Sequence, residues 1–226
     1  MNRQSIEDEA RRLQYEIWHK RELIFQWGEP SPIAMCKPEV AARVLELEIN
    51  YQDDLGTFGT GSDIYTVAGT LDRRSRVISL STRFGEQAMR FTGAHEVGHY
   101  LLHKGETFHR DRPLSPNGEG HGRDAREREA DYFAACFLAS RRLIQKAFAA
   151  RFGPQPLVLD DNIAYYLKGQ KADELMRAPT GSLDFAAAVA GARSFAGKPF
   201  PSLAEKFGLS IGAMAIRLHE LGLAVS

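Results

Sequence analysis

The stretch "FTGAHEVGHYLLH", residues 91–103, sets His95, His99 and His103 at a constant spacing of four and places Glu96 beside the first of them. Residues i and i+4 lie on one face of an α-helix about one turn apart, so His95 and His99 can share one ion. His103 lies about 12 Å along the axis from His95, too far for bonds of about 2.1 Å to meet at one centre. It reads instead as a residue near a helix C-terminus that caps carbonyls or meets the dipole. The pattern H-E-x-x-H also puts a carboxylate one step round the helix, aimed at a water that a metal would hold. Such a segment needs a helix over about 85–103 and a second element that brings a third ligand to it.

Five of the seven histidines fall between residues 95 and 121, and the next helical pattern reads "EREADYFAACFL". Glu127 and Asp131 stand there at i and i+4, again on one face. Glu127 would complete a set of two histidines and a glutamate, leaving a fourth position for water or substrate. Asp131, one turn on, is placed to accept the other ring N–H of a ligand histidine. Glu129 competes for the ligand role but points about 160° away from the Glu127 face, and reads as a solvated residue. His109 and His121 are further, weaker candidates in a loop.

Composition narrows the alternatives. The 29 basic and 29 acidic residues cancel, so no global field recruits nucleic acid or an anionic membrane. "MNRQSIEDEARRL" has no apolar signal-peptide core and no run is long enough to span a bilayer, which predicts a cytosolic protein. Cys36 and Cys136 are too few for a disulfide scaffold.

The rest of the chain reads as an α+β fold. Residues 5–27 form an amphipathic helix starting at Ser5, with Ile6, Leu13, Ile17 and Ile24 on one face, and Pro38 opens a second helix expected to end near Asn50. "SDIYTVAGTLDRRSRVISLS" predicts a β-hairpin around Asp72 to Ser75, with Gly69 marking a bulge. "GTFGTGSD" before it lacks the Lys-Ser/Thr of a phosphate loop and precedes a strand. After the helix over 85–103 comes a loop of about 18 residues, then a helix over 123–138. The first domain spans 1–152. A helical region follows over 153–226, with pieces at 161–167 and 184–194, and a segment from about 200 to 226 with the grammar of a helix-turn-helix.

At these residues a resemblance enters. "FTGAHEVGHYLLH" followed by "EREADYFAACFL" resembles the ImmA/IrrE metallopeptidases, and "LAEKFGLSIGAMAIRLHELGL" resembles the helical segment after the peptidase core in that family. The resemblance implies a zincin-like domain with a small sheet, and one Zn2+ on His95, His99 and Glu127 with Glu96 as general base and Asp131 behind a ligand histidine. It also implies cleavage of a helix-turn-helix repressor, often encoded nearby, that switches on stress, mobile-element or antiphage genes.

Several roles stay open on the sequence. Tyr100, His109, Arg112 and His121 are candidates for stabilising an oxyanion. "RVISLS" is either an ordinary sheet strand or an edge that pairs with an extended substrate. Cys36 is either a buried inert thiol, the preferred reading, or an inhibitory thiolate of the kind that occupies the open zinc position in latent metalloproteases. DNA binding by the C-terminal segment is the competing function for the chain. Lys198, Lys206 and Arg217 against Glu205 and Glu220 leave an excess of one positive charge there, which favours a packing or partner-binding module.

Overall fold

The computed structural model describes residues 1–26, 28–59, 64–105, 107–112, 124–179 and 181–225. They form two compact units that divide between Ser140 and Arg141. The first contains α1 (Arg3–His19), α2 (Arg21–Ile24), α3 (Pro32–Met35), α4 (Pro38–Val44), β1 (Glu48–Gln52), β2 (Thr57–Phe58), β3 (Tyr65–Thr66), β4 (Gly69–Asp72), β5 (Val77–Ser81), α5 (Glu86–Leu102), β6 (Phe108–Asp111) and α6 (Ala125–Leu138). The second contains α7 (Arg141–Phe152), β7 (Leu157–Val158), α8 (Asp161–Lys168), α9 (Ala172–Met176), α10 (Asp184–Gly191), β8 (Ser194–Phe195), β9 (Lys198–Pro199), α11 (Leu203–Phe207), α12 (Ile211–Glu220) and β10 (Ala224–Val225).

α1 buries Ile6, Ala10, Leu13 and Ile17 at helical spacing. It starts earlier than expected because the Asn2 side-chain oxygen accepts both the Ser5 N–H at 2.8 Å and the Ser5 hydroxyl at 2.9 Å, and Asn is a favoured N-cap. It also stops at Lys20, and the expected single helix to residue 27 is replaced by a break and the short α2. α4 ends at Val44, well short of Asn50. Leu45, Leu47 and Ile49 alternate with polar residues, which is strand period, and Glu46 takes a left-handed φ of 55° that no α-helix continues. The Arg76 guanidinium then accounts for the freed carbonyls, donating to Leu45 at 2.6 Å and Glu46 at 2.9 Å.

The sheet order is β1-β5-β4-β6. The hairpin of β4 and β5 is present, with Leu71 opposite Ile78. Residues 76–81 do not offer a free pairing edge, however: β5 is flanked by β1 in parallel and β4 antiparallel, so the edges among the described strands are β1 and β6. β6 falls within the segment read as a structureless loop; it pairs with β4, Leu71 lying opposite His109.

α5 packs on the inner face of this sheet and against α6, whose Ala130, Phe133, Ala134 and Phe137 are fully buried. Gly69 is not a bulge residue but a point of close approach. A Cβ there would sit 2.4 Å from Thr92 Cγ2 and 3.2 Å from Glu96 Oε1. Thr92 is β-branched and stiff in a helix, so it has little room to yield. Gly69→Ala is expected to cost about 1–3 kcal/mol in chemical denaturation. Thr92→Ser, which removes the obstructing methyl, should recover most of that in the double variant, and simple additivity of the two changes would contradict the clash. From the hairpin turn, Arg73 Nη2 donates to the carbonyls of His99, Tyr100 and His103 at 2.7, 2.8 and 3.1 Å, capping the C-terminus of α5 and fixing it to the sheet.

In the second unit Phe152 of α7 packs on Phe195 and Phe200, with ring centroids 5.2 and 5.6 Å apart. This is why α7 belongs with the following residues, and the division comes before Arg141 instead of after residue 152. α11 and α12 meet at Gly208 in the left-handed region, φ 63°, and Ser202 and Ser210 cap their N-termini. No helix of the described residues is long and apolar enough to cross a membrane.

Candidate metal centre

Three elements converge on one carboxylate. α5 supplies His95, Glu96 and His99, each at most 1% exposed. α6 supplies Glu127 and Asp131. Its N-cap Asp124 accepts the N–H groups of Arg126 at 2.7 Å and Glu127 at 3.0 Å, so the first turn, where Glu127 sits, is firmly set. β6 supplies His109 and Asp111, two residues apart and therefore on one face of the sheet.

Nε2 of His95 lies 3.0 Å from Nε2 of His99 and 3.4 Å from Glu127 Oε2. Nε2 of His99 lies 3.3 Å from Glu127 Oε1, and Nε2 of His109 lies 2.7 Å from the same oxygen. His95, His99, His109 and Glu127 each present a donor atom within 4.8 Å of the others, a cluster that can hold a metal ion.

Residues 54–167 match the peptidase M78 family, described as the IrrE N-terminal-like domain. The chain belongs to this family. No curated protein matches it. The matched region contains the whole cluster, so the peptidase M78 domain here is a peptidase-like fold with a potential metal centre at its heart.

Each histidine of this M78 centre is also held from behind. His95 Nδ1 is 2.9 Å from Asp131 Oδ1, the contact expected for Asp131. His99 Nδ1 is 3.0 Å from His103 Nδ1, and His103 Nε2 is 3.0 Å from Glu129 Oε2. His103 therefore does more than end α5: it relays His99 to a carboxylate. With His103 Nε2–H donating to Glu129, its Nδ1 accepts from His99 Nδ1–H and leaves the His99 Nε2 lone pair facing the cluster. Glu129 is correspondingly not a solvated residue but the end of that relay. The signal was in the sequence, since His103 is one turn from His99, but i,i+4 spacing does not distinguish a relay from a cap.

The remaining candidates are distributed as follows. His109 is at the centre of the cluster, on a strand and not in a loop. Tyr100 lies under the Arg73 guanidinium, 4.8 Å from its ring centroid, and Arg112 stacks on Tyr65 at 4.4 Å. His121 lies outside the described residues. Cys36 donates to the Pro32 carbonyl at 3.3 Å and takes a contact from Gln14 Nε2 at 3.7 Å. Burial pushes its pKa up to about 12 against the opposing influence of Arg90 and Gln14, so it is a neutral thiol outside the four-residue cluster. Asp111, 2% exposed and 3.6 Å from His95 Nε2, was not singled out from the sequence.

Protons and carboxylates are strongly coupled here. Burial disfavours a charged His95, but Asp111, Asp131 and Glu127 outweigh it and hold its pKa well above the ordinary value. Burial likewise opposes charge on His109, yet its bonds to Glu127 and Glu96 raise its pKa to about 10. Glu127 is driven the other way, far below the usual carboxylate range, because bonds from His109, His95 and His99 overcome the burial penalty. His99 is pushed down by burial and by its charged neighbours despite Glu127.

Without metal, then, protons on His95 and His109 balance the carboxylates. His109 has a folded pKa of about 10 against about 6.5 unfolded, so its stabilising contribution is complete below pH ~6.5 and lost as pH rises toward 10. A metal must displace those protons and binds more tightly as pH rises. The melting temperature of chelator-treated protein should therefore fall between pH 6.5 and 9, while the increment gained on adding metal grows over the same interval. An increment that shrinks with rising pH would contradict this charge balance.

Proposed function

We propose that the chain is a zinc-dependent endopeptidase whose substrate is a helix-turn-helix transcriptional repressor, cleaved to release stress, mobile-element or antiphage genes. The observation that carries the chemistry is the convergence of imidazole Nε2 atoms on the Glu127 carboxylate beside a buried glutamate, Glu96, whose Oε1 has no hydrogen-bond partner. A buried carboxylate oxygen left bare is costly, and a water and a cation in the cluster would relieve that cost.

The donor set suits zinc. Imidazole and carboxylate are its ordinary ligands, and Glu127 brings one or other of its oxygens within 2.7 to 3.4 Å of all three ring nitrogens, so these residues would hold the ion. When bound, the metal supplies Lewis-acid polarisation of a carbonyl and acidification of water. Glu96 accepts the proton from water and delivers it to the leaving amine. With a metal in place, Asp131, and Glu129 through His103, would hold His95 and His99 in the tautomer whose Nε2 lone pair faces the ion. β6, an edge among the described strands, is the place for an extended substrate segment to pair, in place of β5.

Co-expression with helix-turn-helix repressors encoded beside the gene, followed by intact-mass analysis, tests this reading. Two fragments summing to one repressor plus a water support it. The competing function is a non-catalytic regulator that binds DNA or a partner, and no specific observation favours it: Arg217, one of the few cations of the C-terminal segment, is 1% exposed and pairs with Glu220. Intact repressors together with a salt-dependent gel shift by this chain would establish the regulator instead.

A further inference from the structure

We propose that His109 is a fourth protein ligand of the metal, so that the resting centre is closed by His95, His99, His109 and Glu127 and opens only when β6 withdraws His109. This rests on reading the cluster as a metal centre. A catalytic zinc site ordinarily keeps one position for water or substrate, and a fourth protein donor fills it.

The three imidazoles are equivalent in construction. Each turns Nε2 toward the Glu127 carboxylate, at 3.4, 3.3 and 2.7 Å for His95, His99 and His109. Each has Nδ1 held by another side chain, Asp131 at 2.9 Å, His103 at 3.0 Å and Glu96 at 3.2 Å. A ligand histidine is recognised by that pairing of a donor nitrogen with an anchored second nitrogen. The His109 ring also stacks on His99 with centroids 3.7 Å apart and is only 10% exposed, so its position is determined on both faces of the cluster.

The difference is the element beneath. His95 and His99 lie on a buried helix and Glu127 on another packed against it, whereas His109 lies on a strand that is an edge among the described residues. It is the one donor of the four that can leave without disturbing α5 or α6. In the closed arrangement His109 Nδ1–H donates to Glu96 Oε2, so the general base is engaged as an anchor. Departure of His109 would free the coordination position and the Glu96 oxygen together, which makes the closed centre latent.

X-ray absorption at the zinc edge counts imidazoles directly, and cobalt substitution reports an open position through the response of the visible spectrum to azide. The wild-type chain is expected to show three imidazoles and a spectrum indifferent to azide; His109→Ala should show two and respond. Two imidazoles in the wild type, or the same azide response in both proteins, would overturn the assignment while leaving a zinc peptidase intact. A chain that takes up neither zinc nor cobalt would overturn the metal centre itself, and this proposal with it.

Discussion

Glu96→Gln is expected to lower the rate of repressor cleavage by about 10²–10⁴-fold, the range general-base catalysis supplies, while the protein keeps its metal. Glu96 is fully buried on α5, with Oε2 3.2 Å from His109 Nδ1 and Oε1 without a partner. Glutamine preserves the shape, and its amide oxygen can still accept from His109. It cannot take a proton from water. Because Glu96 is no part of the donor set, zinc content and melting temperature should stay near the wild-type values. Turnover retained in Glu96→Gln would remove the glutamate from the mechanism. Loss of metal in that variant would show that its bond to His109 matters more for holding the centre than for chemistry.

Glu127→Ala should have the largest effect on binding. The carboxylate lies within 3.4 Å of all three Nε2 atoms, and its charge favours the protonated forms of His109 and His95. Removing it leaves the three imidazoles without the carboxylate they share. Outer partners of metal ligands cost about 10–100-fold in affinity when lost, and Glu127→Ala is expected to exceed that range. Glu129→Ala should fall inside it, since Glu129 reaches the centre only through His103 and His99. Competition against a zinc chelator of known affinity separates the two. Equal losses in the two variants would mean that Glu127 is no more a ligand than Glu129.

The legible parts of this site were those set by one helix at a time. The i,i+4 rule places His95 beside His99 and Glu127 beside Asp131 with no knowledge of the fold. Whatever depends on pairing distant segments was not legible. His109 reaches the cluster only because β6 pairs with β4, bringing it opposite Leu71. A four-residue strand after a helix stop gives little local signal. The same strand carries Asp111 inward, for the same reason. Glu129 was misread because helical geometry turns it away from Glu127, which is true but silent about His103 on the facing helix. The alternation of Leu45, Leu47 and Ile49 was available as a strand signal and was masked by the helical residues just before it. The free edge, too, is a property of sheet order: β5 looks like a terminal strand in the sequence and is interior in the fold.

Metal content after dialysis against chelator, measured by mass spectrometry for the wild type, Glu127→Ala and Glu129→Ala, tests the central claim without knowledge of the substrate. About one zinc per chain in the wild type and in Glu129→Ala, with little left in Glu127→Ala, is the result expected of a centre built on His95, His99 and Glu127. A wild-type chain that holds no metal even when zinc is supplied in excess before dialysis would contradict the peptidase reading at its root.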